Sequence, residues 1–309
     1  MGRIGGGARA LGHLLAVMLG TATLVFVVLR LTGDPAMMVA PPGATLDDLA
    51  AIRRELGLDR SLAVQYADFL RRLAVGDLAE SFRYRRPALE VVAERAGATA
   101  QLALAAQLLA VIVAIPLGTI AALRRDSWLD AALTGVATLG QSIPHFWLGL
   151  MAIVVFAVQL GWLPTSGRGG WAHLVLPAVT LSCYSTASLM RLMRSSVLEA
   201  LGADYIRTAR AKGLGVPAVL FKHALKNALM PVVTLMGLQL GVLLSGAVIV
   251  ETVFAWPGIG RLTIEAIHTR DYPLVQAGVV LMALLFVLVN QGVDLCYRWL
   301  DPRVGGGRG

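Results

Sequence analysis

Six long apolar runs, separated by polar connections, set the pattern of the chain. They are LGHLLAVMLGTATLVFVVLRL (11–31), ATAQLALAAQLLAVIVAIPLGTIAAL (98–123), GVATLGQSIPHFWLGLMAIVVFAVQL (135–160), LVLPAVTLSCYSTASLM (174–190), ALMPVVTLMGLQLGVLLSGAVIV (228–250) and LVQAGVVLMALLFVLVNQGVDLCY (274–297). A helix needs about 20 predominantly apolar residues to cross a bilayer. Within lipid only helices and closed barrels satisfy every backbone group, and barrel strands would alternate over about 10 residues rather than run continuously apolar. The pattern therefore predicts an all-α polytopic membrane protein with six transmembrane helices.

The polar stretches divide the rest. Residues 1–31 form the N-terminus and first transmembrane helix, 32–97 an extracytoplasmic helical loop, 98–297 the transmembrane core with a cytoplasmic loop at 191–227 between the fourth and fifth helices, and 298–309 a cytoplasmic tail. The start resembles a signal peptide, but its apolar run has no convincing cleavage site and reads as a retained span. In the outer loop, TLDDLAAIRRELGL opens with Thr45 and Asp48 at capping-box spacing. SLAVQYADFLRRLAVGDL follows with apolar residues at helical spacing. Pro87 stands at a helix start that runs into the second span. This loop reads either as a lid packed on the span ends or as a docking surface for an external partner.

Charge orients the spans, because short loops rich in Lys and Arg stay in the cytoplasm. Connection 124–134 has Arg124 and Arg125, and 191–227 has Arg191, Arg194, Arg207, Arg210, Lys212, Lys222 and Lys226. Connection 161–173 has only Arg168, and 251–273 has Arg261 and Arg270, so both termini are expected in the cytoplasm. The outer loop has nine arginines, but it is too long for the rule to count and its ten acids balance them.

Composition agrees with a chain solvated by lipid: 57% of its 309 residues are hydrophobic and only 15% are charged. Its net charge of +8 lies in the connections rather than on one soluble face, which argues against a nucleic-acid binder. Cys183 and Cys296 fall in apolar runs and provide neither a disulfide framework nor a metal site. His13, His145, His173, His223 and His268 are scattered, and there is no phosphate-binding G-x-x-x-x-G-K-[ST] stretch and no nucleophile elbow. No catalysis and no bound cofactor or metal are expected of this chain.

Inside the spans, Pro144 is placed to kink the third helix. Ser182, Ser185 and Thr186 share a face of the fourth, Gln239 sits within the fifth, and Asn290, Gln291 and Asp294 cluster in the sixth. Such polar groups line a pathway or make ordinary interhelical hydrogen bonds. Gly237, Gly241 and Ser245 form a face of small residues that sets close helix packing or borders a cavity.

The loop 191–227 contains all three lysines of the chain. VLEALGADYIRTARAKG reads as a helix, Gly-Leu-Gly as a break, and VPAVLFKHALKNAL as a second helix with Pro217 in its first turn. Leu220, Phe221, Ala224, Leu225 and Ala228 are expected on one face of that helix, with Lys222 and Lys226 on another. Ala209 and Gly213, four apart, would make a smooth patch open to another backbone.

The run DYIRTARAKGLGVPAVLFKHALKNALMP resembles the coupling loop of inner-membrane permeases of bacterial ABC importers, in the dipeptide, oligopeptide and nickel family. That loop is similar to a pattern of Glu-Ala-Ala, a glycine and Ile-x-Leu-Pro. Gly213 matches the glycine, His223 and Leu225 fall at the Ile and Leu, and Arg207, Thr208 and Ala209 occupy the Glu-Ala-Ala positions. The motif glutamate is missing, because Glu199-Ala200 lies too far upstream, and so is any salt bridge it would make. LTGDP (31–35), RRELGLDRSLAVQY (53–66), GWLPTSG (161–167), ETVFAWPGIGRL (251–262), RDYPLVQ (270–276) and LDPRV (300–304) resemble blocks of that family in order, over nearly the whole chain.

The resemblance implies a type I importer fold, with Thr208, Ala209, Arg210, Ala211, Lys212, Gly213, Leu214, Gly215, His223 and Leu225 as the ATPase-coupling element. It implies a multi-pass protein of the bacterial inner membrane, in contact with lipid, and several partners. These are a second permease chain, two cytoplasmic ATPases holding ATP and Mg2+, and an extracytoplasmic substrate-binding protein. Peptide is the expected substrate, with nickel or glutathione as alternatives. An ion-coupled secondary transporter is the competing class, but the central spans lack the acids and inverted repeats that such proteins carry.

Overall fold

The computed structural model describes residues 2–32, 34–41 and 43–300. The last nine residues of the expected tail lie outside them, as do the side chains of Asp294 and Cys296. The secondary structure of the described residues is helical: α1 Gly2–Thr32, α2 Ala36–Val39, α3 Leu46–Glu55, α4 Leu62–Ala74, α5 Ala88–Leu123, α6 Trp128–Ser142, α7 His145–Ala152, α8 Trp171–Gly202, α9 Asp204–Ala211, α10 Val216–Ala218, α11 Leu225–Val253, α12 Ile259–His268 and α13 Tyr272–Leu300. Two π-helical stretches, Ile153–Gln159 after α7 and Val219–Ala224 between α10 and α11, interrupt regular α winding.

Helices α1, α5, α8 and α13, together with the continuous segment Val216–Val253, are each long and apolar enough to cross a membrane. The third expected span is instead two helices, Trp128–Ser142 and His145–Gln159, bent by 105° at their junction, and makes a sixth crossing if the pair is counted as one. The fifth apolar run is the latter part of a longer helical segment, because Val216–Ala218 and Val219–Ala224 lead into α11 without a break. The helix expected through 197–213 is divided: α8 ends at Gly202, Ala203 is extended at ψ 152°, and α9 begins at Asp204.

Contacts divide the chain into two units. The first comprises residues 1–99 with 257–288. Its core gathers Phe26, Phe69, Val91, Val92, Ile259, Leu262 and Leu274. The rings of Phe26 and Phe69 stack at 5.7 Å, and the Thr23 hydroxyl meets the Tyr66 hydroxyl at 2.5 Å. Both predicted helices of the outer loop are present as α3 and α4. The capping box at the head of α3 is complete, with the Asp48 N–H donating to Thr45 Oγ1 at 3.2 Å and the Thr45 N–H donating to Asp48 Oδ2 at 2.9 Å. The bond from the Thr45 backbone, then that from its hydroxyl, holds the Asp48 carboxyl below its ordinary pKa. Asp271 is buried at the head of α13, accepting from the Ser81 hydroxyl at 2.5 Å, the Arg83 N–H at 3.1 Å and the Leu274 N–H at 3.3 Å. One carboxylate thus ties the 79–87 turn to a helix start.

The second unit comprises residues 100–256 with 289–309. Its core runs along α8 and α11 and includes Leu189, Met193, Val197, Ile206, Leu220, Ala224 and Val232. Small residues set the helix spacing. A Cβ on Gly118 would lie 2.6 Å from the Met190 carbonyl oxygen, and one on Gly237 would overlap Val293. Close approach of this kind gains dispersion contacts that replace the missing hydrophobic drive between helices in lipid.

Candidate coupling elbow and span interior

The candidate coupling element is an elbow in the second unit, and its corner is a helix C-cap. Helix α9 ends in a Schellman motif: the Gly213 N–H donates to the Arg210 carbonyl at 2.9 Å and the Leu214 N–H to the Ala209 carbonyl at 3.3 Å. Gly213 occupies φ +79°, where an L-residue loses roughly 1–2 kcal/mol. A Cβ there would meet nothing within 4 Å, so conformation, not space, calls for glycine. After the corner Pro217 enters the first turn of α10.

Burial divides the expected coupling residues into two groups. Thr208, Arg210, Ala211, Lys212, Gly213, Leu214 and Gly215 are exposed, whereas His223 and Leu225 are half-buried. Ala209 is only 5% exposed and lies in the core with Ile206, Val197 and Ala224. The approachable patch of Ala209 and Gly213 is therefore corrected: Ala209 faces inward and anchors α9, and Gly213 alone of the two faces outward. Phe221 is also corrected, being 70% exposed rather than on the buried face. The cause is the π winding of Val219–Ala224, whose wider turn buries Val219, Leu220 and Ala224 and carries Phe221 out beside Lys222. The outer side of the elbow thus combines Tyr205, Leu214, Val216 and Phe221 with Arg210, Lys212, Lys222 and Lys226.

Behind the elbow lies an ion pair that the sequence does not single out. Asp130, 5% exposed in the first turn of α6, accepts from Arg194 Nε and Nη2, both at 2.6 Å. The Asp126 N–H at 3.1 Å and the Thr134 hydroxyl at 3.4 Å complete its shell. A bidentate pair of this geometry, with Asp130 buried and Arg194 26% exposed, fixes orientation as well as contributing energy, so α6 and α8 are bolted together. About one turn before Arg194 on α8, Arg191 donates to Gln141 near the end of α6, and Gln141 donates to the Ser188 hydroxyl at 2.5 Å.

The span residues resolve mostly into packing. The Ser185 hydroxyl donates to Gln239 Oε1 at 2.5 Å, both side chains buried, and cross-links α8 to α11. Ser182 donates to its own helix at the Val179 carbonyl, 2.9 Å away, while Thr186 is half-buried. The small-residue face of α11 is not uniform: Gly237 packs on α13, Gly241 is buried and Ser245 is exposed. Asn290 is half-buried on α13. Pro144 does more than kink a helix: with Ile143 extended at ψ 126°, it stands as the N-cap of α7 at the 105° junction. Sequence reading missed Gln107, 7% exposed on α5, whose amide oxygen and nitrogen find no hydrogen-bond partner among the described residues, and buried Thr180, whose hydroxyl is in the same position. The signal was there in a glutamine deep within an apolar run.

A multi-pass helical protein with an outward basic elbow has the build of a transporter's membrane component. The chain belongs to the binding-protein-dependent transport system inner membrane component family, whose profile matches residues 114–306, and the N-terminal profile of the same systems matches residues 8–103. It is 40% identical to the dipeptide transport system permease protein DppB of Alkalihalophilus pseudofirmus, over 96% of this chain and 98% of that one. It is 41% identical to the glutathione transport system permease protein GsiC of Escherichia coli K12, over 96% and 97% respectively. The fold is also that of solved ABC transporters. An inward-facing MetNI methionine transporter chain superposes with a TM-score of 0.57 at 18% identity, covering 70% of this chain and 98% of that one. A chain of an amino acid ABC transporter gives 0.53 at 14% identity, covering 68% and 94%.

Proposed function

We propose that the chain is one permease subunit of an ATP-driven importer that moves peptides across the cytoplasmic membrane by alternating access. The observation carrying this reading is the elbow: a corner fixed by the Gly213 cap, basic and aromatic outside, packed inside, and continuous with the helical segment Val216–Val253. A force applied at the corner has little slack to take up before it reaches the span, because Ile206, Ala209, Val219 and Leu220 are locked in the core. The Asp130–Arg194 pair carries the same displacement to α6.

In this reading the elbow sits in a cleft of a cytoplasmic ATPase subunit, with ATP and Mg2+ held in that partner. Two such ATPases, a second permease chain and an extracytoplasmic binding protein complete the assembly, and both termini face the cytoplasm. ATP-driven closure of the ATPase pair shifts the elbows and opens the spans outward, and binding energy moves the equilibrium only through its preference for one state. Residues 207–209 offer no motif glutamate, and Arg207 instead pairs with Asp204 at 3.2 Å, so seating relies on shape, Phe221 and the basic rim.

Peptide is chosen as substrate because the relatives at about 40% identity are named for dipeptide and for glutathione, itself a tripeptide. The glutathione name carries the second reading. Reconstitution with the cognate ATPases, permease and binding protein tests both: labelled dipeptide should enter proteoliposomes with ATP and without a proton gradient. Uptake driven by the gradient alone would refute the importer reading. Competition by glutathione, but not by dipeptides, would replace one substrate with the other.

A further inference from the structure

A cleft of about 250 Å³ in the first unit is lined by Leu24 and Val28 of α1, Ile267 of α12 and Val275 of α13, and is closed at one end by Arg270 and Tyr272. Most of its apolar wall belongs to α1 and α13, which are long and apolar enough to cross a membrane, and Leu24, Val28 and Ile267 are exposed, so the cleft opens toward lipid rather than into the unit's core. The end is different in kind. Arg270 is exposed and makes none of the ion pairs found among the described residues. Its φ of +52°, uncommon outside glycine, turns the chain from α12 into α13, and Arg270 lines the cleft.

From this apolar trough with a cationic head we infer a site for one anionic phospholipid, its acyl chain along α1 and α13 and its phosphate at Arg270. Apolar walls alone would accept any acyl chain. Arg270 selects charge, a cation near a headgroup contributing on the order of 1 kcal/mol. A guanidinium also matches phosphate oxygens in a planar fork. The inference does not depend on what the protein transports.

The test uses the full-length protein in mild detergent, titrated with dioleoyl phosphatidylglycerol or dioleoyl phosphatidylcholine and read by native mass spectrometry. The first phosphatidylglycerol should bind about fivefold more tightly than phosphatidylcholine. Arg270→Gln should erase that preference and leave phosphatidylcholine unchanged. Val28→Trp, at an exposed position where bulk does not disturb the core, should fill the trough and weaken both lipids; Leu24→Trp serves if the first variant shifts the melting temperature. A phosphatidylglycerol preference surviving in Arg270→Gln overturns the headgroup site. Unchanged binding of both lipids in the tryptophan variants overturns the trough, leaving only surface attraction. A change of oligomeric state in those variants, with lipid stoichiometry constant, would give the cleft to a second protein copy instead.

Discussion

Two of the corners in the second unit are built in opposite ways. At Gly213 the backbone itself holds the shape: a left-handed residue closes two hydrogen bonds onto the end of α9, and nothing crowds the position from outside. At Pro144 the shape comes from what a proline forbids its predecessor, Ile143, and from packing further on, where a Cβ on Gly149 would lie 3.1 Å from the Phe254 ring. A corner stored in one residue's conformation is stiff but breaks with one substitution. A corner shared between a proline and a packed neighbour survives the loss of either.

The largest effect expected comes from the ion pair that joins α6, the helix ending at the Pro144 corner, to α8. Asp130→Ala would leave Arg194 without its carboxylate and lower stability by about 3 kcal/mol, seen as a lower midpoint in detergent denaturation. If stability is unchanged, α6 and α8 do not depend on the pair. Next is Ala209→Leu, which inserts bulk into a filled core and should lower the same midpoint by about 2 kcal/mol, separating packing at α9 from coupling at its cap. Pro144→Ala sharpens the other side. Spin labels at exposed Val136 and Val154, on either side of the junction, should keep their separation, with stability within about 0.5 kcal/mol of the parent. A marked lengthening would mean that proline alone makes the bend.

The smallest effect lies in the outer loop. Because folding lowers the pKa of Asp48, its contribution is complete above the carboxylate's ordinary value and is lost as pH falls through the lowered one. Hydrogen exchange of the α3 amides, corrected for intrinsic rates, should therefore rise on acidification through that window and remain flat in Thr45→Ala, where the box is already open.

Much of the fold is legible in the sequence because its strongest signals are local. Runs of about 20 apolar residues have one solution in lipid, and Thr45 with Asp48, Pro217 and Gly213 mark helix ends at their own positions. What escaped was either distant or degenerate. Asp130 and Arg194 are 64 residues apart and Ser185 and Gln239 are 54 apart, separations at which no periodicity pairs them. The π stretch Val219–Ala224 lies in an amphipathic segment whose sequence also suits a regular α-helix, so the outward turn of Phe221 had no sequence signature. Ala209 misled for a related reason: a small residue fits a crowded core as well as an open patch, and composition alone does not distinguish the two.

Gly213 gives the most direct test, in the reconstituted importer, with uptake and ATP hydrolysis measured together in Gly213→Ala and Gly213→Asn. Asparagine tolerates the left-handed conformation better than alanine. If the fixed corner transmits the ATPase stroke, uptake should fall at least tenfold in the alanine variant and recover partly with asparagine. Hydrolysis should persist in both, and the denaturation midpoint should move less than in Ala209→Leu. Normal uptake coupled to ATP hydrolysis in Gly213→Ala would contradict the elbow's role.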